Sequence, residues 1–155
     1  MAEQNNLSLL NFKFKLDGAP NLEPRVQNVV VPGMELGTAA IPTPFVQLAD
    51  PGNLSYSPLQ VTFMVGENMK DYLEIFNWMV GLGYPDQLGQ YQRKLKDGNV
   101  LILDSSYKTV VNVRFHNLYP ISISDLNFDS TLSEIQYATA TISFNFDRFY
   151  FEPTT

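Results

Sequence analysis

The feature of this sequence that most constrains its fold is an alternating stretch from Ser133 to Phe146. Small or apolar side chains alternate with polar ones, which is the period of a β-strand with one buried face. From Tyr137 onward neither face carries a charge. An extended run of this length would span about 46 Å, whereas a domain of this size is about 40 Å across. We therefore expect the strand to bend, or to end beyond the core where a second chain can pair with it.

The composition also suggests contact between subunits. The chain has 155 residues, enough for one domain, and only 17% of them are charged, against about 25% in ordinary soluble domains. A chain with so little charge is expected to bury part of its surface against other chains. The alternative is a small β domain whose polar face consists of Ser, Thr, Asn and Gln.

Charge, cysteine content and hydropathy exclude several classes of protein. The net charge of −6 opposes the binding of nucleic acid through its phosphates. The absence of cysteine removes disulfide scaffolds, thiolate metal sites and thiol nucleophiles. No apolar run reaches the length of a transmembrane helix, and the first residues lack the pattern of a signal peptide. We expect an unexported chain without a membrane anchor.

Four further segments are predicted to be strands and one is predicted to be a helix. The strands are Leu10–Leu16, Leu59–Val65, Val100–Leu103 and Thr109–Asn117, the last of which is broken by Leu118-Tyr119-Pro120. The helix is capped by Asn68, with Asp71 three residues later, and stops at Gly81 or Gly83. Its predicted core face consists of Met69, Tyr72, Leu73, Phe76, Met79 and Val80.

A proline-rich segment at about 19–58 separates the first two strands. It holds seven of the ten prolines, together with Gly33, Gly37 and Gly52. Proline cannot donate to a strand ladder, so this segment is not expected in the centre of a sheet. Forty residues of loose loop would be unusual in a small domain. We therefore predict an extended arm or hairpin that projects from a single domain spanning residues 1–155.

The sequence contains no convincing catalytic or metal-binding constellation. His116 is the only histidine, and its place on the polar face of a strand favours a structural role. Asp125, Asp129 and Glu134 lack the spacing and the glycine of a calcium loop. Gly81-Leu82-Gly83 follows a helix rather than a strand, so it is read as a helix stop and not as a phosphate loop. We expect no enzymatic activity and no cofactor.

Several pieces of the sequence, in their order and spacing, resemble the tail tube proteins of contractile-tailed, T4-like bacteriophages. The resemblance runs from about Phe12 to Phe151. It is carried by Val31-Pro32-Gly33-Met34, Leu59–Val65, the helix Tyr72–Trp78, Asn117-Leu118-Tyr119-Pro120, Leu126–Ser130 and the ending Asp147-Arg148-Phe149-Tyr150-Phe151. Phage-derived injection machines and the type VI secretion tube are built on the same fold.

This resemblance implies a fold, an assembly and partners. The fold is mainly β, a sandwich or barrel of two packed antiparallel sheets with one flanking helix. Six copies pair strands in a ring, and the rings stack into the hollow inner tube of a contractile tail in the virion, assembled in the host cytoplasm. The tail sheath and baseplate proteins would be its partners, and double-stranded DNA would pass through without specific binding.

The resemblance and the strand pattern together nominate residues for each role. The candidates for pairing between subunits are Tyr137, Thr139, Thr141, Ile142, Ser143, Phe144 and Asn145, and the candidates for bridging successive rings are Pro32, Gly33, Phe45, Pro51 and Gly52. Tyr72, Leu73, Phe76 and Met79 are expected to pack in the core. Either the uncharged face with Thr139 and Asn145 or a face with Lys13, Lys15 and Arg114 would line the lumen.

Two other functions fit the sequence. One is a ring that initiates the tube at the baseplate or terminates it, which would bind a tube end without polymerising alone. The other, from a different class, is a carbohydrate-binding β-sandwich that stacks Tyr56, Tyr84, Tyr91 or Trp78 on sugar rings.

Overall fold

Two antiparallel sheets share one long strand in this protein, whose computed structural model describes residues 6–83 and 95–154. The elements are β1 (Phe12–Leu16), a short 3-10 helix (Glu23–Arg25), β2 (Val26–Val30), β3 (Met34–Ile41), β4 (Leu48–Tyr56), β5 (Leu59–Met64), α1 (Lys70–Gly83), β6 (Lys96–Leu103), β7 (Thr109–Ile123), β8 (Thr139–Asn145) and β9 (Arg148–Pro153). The first sheet has the order β1-β6-β7-β9 and the second has the order β7-β8-β5-β2. The prediction of a mainly β fold with two antiparallel sheets and one helix is confirmed.

The shared strand β7 continues through the point where the sequence predicted a break. Asn117 has a left-handed backbone (φ 58°), which asparagine tolerates better than most residues. Its N–H donates to the Asp97 carboxylate at 3.2 Å. Pro120 lies next to a register shift between β7 and β8, where a strand can tolerate a missing N–H. The bend therefore carries β7 from the first sheet into the second.

The core lies between the two sheets and is built from alternate residues of their strands. Its largest fully buried side chains include Phe63, Phe115 and Phe144. Burial alternates strictly along β5 and β8, as the sequence pattern predicts for strands with one buried face. The sequence thus correctly predicted that these strands have one buried face.

The last long strand is shorter than predicted. β8 covers Thr139–Asn145, and residues 133–138 continue beyond the sheet without strand structure. The neighbouring strands explain this limit, because β5 ends at Met64, opposite Thr139, and β7 ends at Ile123, opposite Ile142. A strand exists only where neighbouring strands supply hydrogen-bond partners, so the expectation of one strand across the whole domain was wrong.

The buried face of the helix matches the predicted one only in part, since Tyr72 and Met79 pack against the core as predicted and Leu73 and Phe76 do not. Asn68 Oδ1 accepts a hydrogen bond from the Lys70 N–H at 3.2 Å, as a helix cap does. The buried side chains of α1 are Asp71, Ile75 and Trp78, whereas Leu73 and Phe76 are nearly half exposed and Tyr72 and Met79 are half-buried. The Asp71 carboxylate accepts a hydrogen bond from the buried Gly66 N–H, which turns this side of the helix inward. The apolar residues of α1 cover more than one face, so periodicity alone did not select the buried one.

The proline-rich segment contains a projecting hairpin. Within residues 6–83 and 95–154, strands β3 and β4 pair only with each other, and none of their residues is buried. We call this hairpin, Met34–Tyr56, the arm. The first part of the predicted segment belongs to the sandwich instead, because Ala19 and Leu22 are buried in the core and β2 pairs with β5.

Candidate assembly surfaces

The strands at the sheet margins are the first candidate assembly surface. In the part of the sandwich that the structure describes, β1, β2 and β9 each have one edge without a partner strand. Strand β8, which holds six of the seven residues predicted to pair between subunits, lies between β7 and β5 and is hydrogen-bonded on both sides. The backbone from Ile142 to Phe144 is therefore used on both sides within the chain. Tyr137 and Thr139 lie beyond the pairing with β7, and their pairing with a second subunit stays a prediction.

The margins β1 and β2 approach each other without pairing. A groove of about 600 Å³ lies between them, lined by residues that include Phe12, Phe14, Pro24 and Val26. The Leu16 N–H points into this gap and donates to Glu23 Oε1 at 3.0 Å. Backbone groups alternate sides along a strand, so the N–H and C=O groups of Phe12 and Phe14 also face the groove. The sandwich thus leaves an open slot along its β1 edge.

The outer faces of the two sheets differ in charge. Strands β2, β5 and β8 contain no charged residue, and their outer face presents hydroxyl and amide groups, among them the Thr62 and Thr141 hydroxyls 3.1 Å apart. The outer side of the first sheet carries Lys13 and Lys15 on β1, Arg114 on β7 and Arg148 on β9, all exposed. The two alternatives for the lumen wall therefore correspond to two separate sheet faces.

Arg114 on β7 interacts with two side chains of β9, those of Glu152 and Tyr150. It donates to Glu152 Oε1 at 3.2 Å across the β7–β9 pair. A hydrogen bond with the Tyr150 side chain, together with the Glu152 carboxylate, raises the pKa of Arg114 above its ordinary value. This pair fixes the end of β9 to β7 and leaves Lys13 and Lys15 as the cations at the open edge.

The arm is the second candidate surface. Phe45 at its tip is 97% exposed, and Met34, Leu36 and Leu54 are also exposed. Of the remaining predicted bridging residues, Gly33 and Pro51 are exposed, Gly52 is half-buried and Pro32 is buried at the base of the arm. Pro32 is therefore not available for contact with another ring. Phe45, Pro51 and Gly52 lie on the arm and Gly33 lies just before it, and their role in bridging rings stays a prediction.

The connection from β7 to β8 is a third surface, of which the sequence analysis identified only the end that holds Tyr137. We call residues 125–138 the acidic loop, because it contains Asp125, Asp129 and Glu134 and no Lys or Arg. Every residue from 127 to 139 is exposed, including Phe128, Leu132, Ile135 and Tyr137. The sequence does place apolar residues among acidic ones in this segment, but the alternating pattern from Ser133 onward led to the prediction of a strand.

The acidic loop is fixed at its turn and at both ends. Two hydrogen bonds donated by the Thr131 side chain and N–H to the Asp129 carboxylate lower the pKa of Asp129. The Tyr72 hydroxyl donates to the Ser124 carbonyl oxygen at 3.4 Å, and the Ala138 carbonyl oxygen accepts from the Val65 N–H at 2.9 Å. The loop therefore presents its apolar side chains from a defined position.

The remaining candidate residues have structural contacts. His116 stacks on Tyr150 with ring centroids 5.2 Å apart, and its Nδ1 lies 3.8 Å from the Asp97 carboxylate. Among the described residues, no group of His, Asp and Glu side chains is arranged to hold a metal ion. In the same part of the chain, no helix has the length and apolar character needed to span a membrane.

The aromatic residues considered for sugar binding are packed within the chain where the structure describes them. Tyr56 contacts the rings of Phe146 and Phe149, and Trp78 is 6% exposed beneath the Lys96 ammonium group. Tyr84 and Tyr91 lie outside the described residues. Tyr56 and Trp78 are thus packed against other side chains and do not form a flat exposed platform for sugar rings.

No protein-family model and no curated protein matches the sequence. Solved structures do match the fold. A chain from the sheath–tube complex of an extracellular contractile injection system, PVC, in its extended state is 14% identical with a TM-score of 0.74, and the match covers 97% of this chain and 94% of that one. A chain from the sheath/tube terminator of the same kind of system is 14% identical with a TM-score of 0.73, covering 97% and 99%. Hcp1 from Flavobacterium johnsoniae is 17% identical with a TM-score of 0.54, covering 92% and 95%.

These matches define the class of fold. The chain has the same fold as these three chains, and the match extends over nearly the full length of each protein. The resemblance found in the sequence is confirmed at this level. The narrower likeness to T4-like phages stays a prediction.

Proposed function

We propose that this protein is a structural subunit of the tube of a contractile injection machine or phage tail. The observation that carries the proposal is the full-length fold match to chains of a sheath–tube complex and of a sheath/tube terminator. In this role the chain forms rings with copies of itself, the rings stack into a hollow tube, and sheath and baseplate proteins contact that tube. It performs no catalysis.

The margins of the sandwich support self-assembly. An isolated sheet edge exposes backbone groups that other chains can pair with, and a closed ring of subunits removes such edges. β1, β2 and β9 supply edges of this kind, and the exposed apolar residues of the arm supply further contact area. The low charge content then follows from function, because much of the surface meets another copy.

The finer proposal is a hexameric ring whose tube conducts a phage genome in a virion. A net charge of −6 and an outer face without charge on β2, β5 and β8 suit a channel that must not retain DNA. Phosphates find no cation to pair with on such a wall. If the face with Lys13 and Lys15 lined the lumen instead, DNA would be retained more strongly and an acidic protein cargo would be the better fit.

Electron microscopy of the purified protein tests this proposal. Negative-stain images are expected to show rings or hollow cylinders of uniform diameter, and image averaging should give six subunits per ring. Because backbone pairing and apolar burial weaken little with salt, assemblies should persist at high ionic strength. A protein that stays monomeric at high concentration, with or without baseplate partners, would contradict the proposal.

A terminator ring is the second candidate, favoured by the match to a sheath/tube terminator that covers 99% of that chain. A terminator is expected to form single rings that do not stack and to bind the ends of preformed tubes. Length distributions measured by microscopy separate the two functions, because a tube subunit gives cylinders of increasing length as its concentration rises.

A further inference from the structure

The β1 edge has a cationic and apolar character that suits a particular partner. Lys13 and Lys15 are exposed beside the open slot between β1 and β2, and neither takes part in an ion pair within the described residues. Residues 6–16 contain no acidic residue. Leu9 and Leu10, just before the strand, are each 87% exposed. This edge therefore offers the backbone groups of Phe12 and Phe14, two cations and apolar side chains, while the one carboxylate in the slot, that of Glu23, is hydrogen-bonded to the Leu16 N–H at the far end of the strand.

The acidic loop has the opposite charge and the same kind of apolar exposure. Its second half, residues 133–138, runs into β8 beyond the ends of β5 and β7, so no strand of the described chain pairs with it. Ile135 and Tyr137 are 85% and 75% exposed, and they lie two residues apart, as side chains on one face of a strand do. Glu134 and Asp125 are exposed, and no hydrogen bond or ion pair holds their carboxylates within the described residues.

We propose that the acidic loop of one copy of this chain docks on the β1 edge of a second copy, with residues 133–138 adding a strand to β1. Three features are complementary. Unpaired backbone groups lie on both sides, exposed apolar side chains lie on both sides, and the loop's carboxylates meet Lys13 and Lys15. Of the three free margins, β1 is the one whose exposed charges are all positive, since β2 has none and β9 carries Glu152 beside Arg148. This inference rests on the proposed function and names the residues that join the subunits.

The two surfaces lie on different elements, so the contact joins unlike surfaces. The loop leaves the second sheet beside Met64 and Ile123, whereas β1 forms the margin of the first sheet. A contact between two different patches leaves the β1 edge of one copy and the acidic loop of the other copy free, so repetition builds a ring or an open stack. One such interface is therefore enough to extend an assembly.

Reversal of charge on each side tests the pairing. The edge variant is Lys13→Glu with Lys15→Glu, and the loop variant is Asp125→Lys with Glu134→Lys. Asp129 is left unchanged because it caps the turn at Thr131. Each variant places like charges opposite each other, so the concentration needed for assembly should rise by about tenfold or more at low salt. The chain carrying all four substitutions should assemble close to the wild-type concentration.

The control for the edge variant is Lys70→Glu with Lys108→Glu. It changes the net charge by the same amount as the edge variant, but at exposed positions of α1 and of the β6–β7 turn. This control should assemble like the wild type, and all variants should keep the wild-type circular dichroism spectrum. High salt should partly restore assembly of the edge variant, because screening weakens the new repulsion. If the four-fold variant assembles no better than either parent, or the control fails equally, the proposed contact is wrong.

Disulfide trapping gives a direct readout, since the chain has no cysteine. A mixture of Lys13→Cys and Ile135→Cys chains should form mixed dimers under mild oxidation, whereas each chain alone should stay largely unlinked. If the wild-type protein forms rings or tubes but the mixture of the two cysteine variants does not cross-link, this inference is overturned and the proposed function stands. Wild-type protein that never assembles would overturn both.

Discussion

The sandwich and the two segments that project from it, the arm and the acidic loop, use the same kinds of residue for opposite purposes. Phe144 on β8 is completely buried, whereas Phe45 at the tip of the arm and Phe128 in the loop are 97% and 80% exposed. Both projections have a defined backbone, through the β3–β4 ladder and through the Asp129 turn. They differ from the sandwich in having no core of their own.

The comparison indicates that folding and assembly are assigned to different parts of the chain. Buried apolar area stabilises the sandwich, so its aromatic residues contribute to the folding of a single copy. An isolated two-stranded hairpin is marginally stable in water, and its exposed apolar residues gain burial only against another molecule. Substitutions of one type should therefore have different effects in the two parts.

The largest difference is expected between two Phe→Ala substitutions. Phe144→Ala removes a buried ring and leaves a cavity, which should lower the free energy of unfolding by about 3–5 kcal/mol. Phe45→Ala should change it by less than about 0.5 kcal/mol while weakening assembly. Urea denaturation at a concentration too low for assembly measures both values. Equal destabilisation by the two substitutions would show that the arm packs on the sandwich.

A smaller effect is expected where the two strands of the arm come closest. A Cβ at Gly52 would lie 3.1 Å from the carbonyl group of Gly37, so Gly52→Ala should push the strands apart and cost about 1 kcal/mol or more locally. Limited proteolysis should then cleave the arm faster, with the global unfolding transition unchanged. Gly33→Ala is the control, because nothing lies within 4 Å of its Cβ position. Unchanged cleavage of Gly52→Ala would mean that the arm is not held by this contact.

The smallest effect concerns the turn of the acidic loop. Because hydrogen bonds from Thr131 lower the pKa of Asp129, the ionised carboxylate holds the turn at neutral pH. This stabilisation is present above the unfolded-state pKa, about 3.9, and is lost as the pH falls through the folded-state value. Thr131→Val removes the hydroxyl donor and should raise the pKa of Asp129 towards its ordinary value in an NMR titration. A titration identical to that of the wild type would contradict this role of Thr131.

Much of the sandwich was predictable because local patterns and tertiary packing agree there. Leu59–Val65 was predicted as a strand and β5 covers Leu59–Met64. The arm was predictable because a run of prolines cannot occupy the centre of a sheet. Only Met34–Tyr56 projects, however, since the buried residues Ala19 and Leu22 anchor the preceding part in the core.

The errors fall where distant parts of the chain decide the outcome. The alternating run before Thr139 has the pattern of a strand but no neighbour to pair with, so it becomes an exposed loop. Pro120 was expected to end its strand, yet the bend at Asn117 and a nearby register shift accommodate it. On α1, the hydrogen bond from the Gly66 N–H to the Asp71 carboxylate holds Asp71 in the interior, so the buried face of the helix differs in part from the predicted one.

The sequence by itself determined the periodicity of the strands, the site of the helix, the projecting hairpin and the low charge of the chain, because each follows from properties of residues close together in the sequence. The tertiary structure alone decided that β8 is an interior strand, that β1, β2 and β9 are the open margins, and that the acidic loop is exposed. Which strand lies at an edge depends on pairing between residues far apart in the chain. Hydrogen bonds between strands form across that distance, and hydrophobic alternation carries no information about which neighbour supplies them.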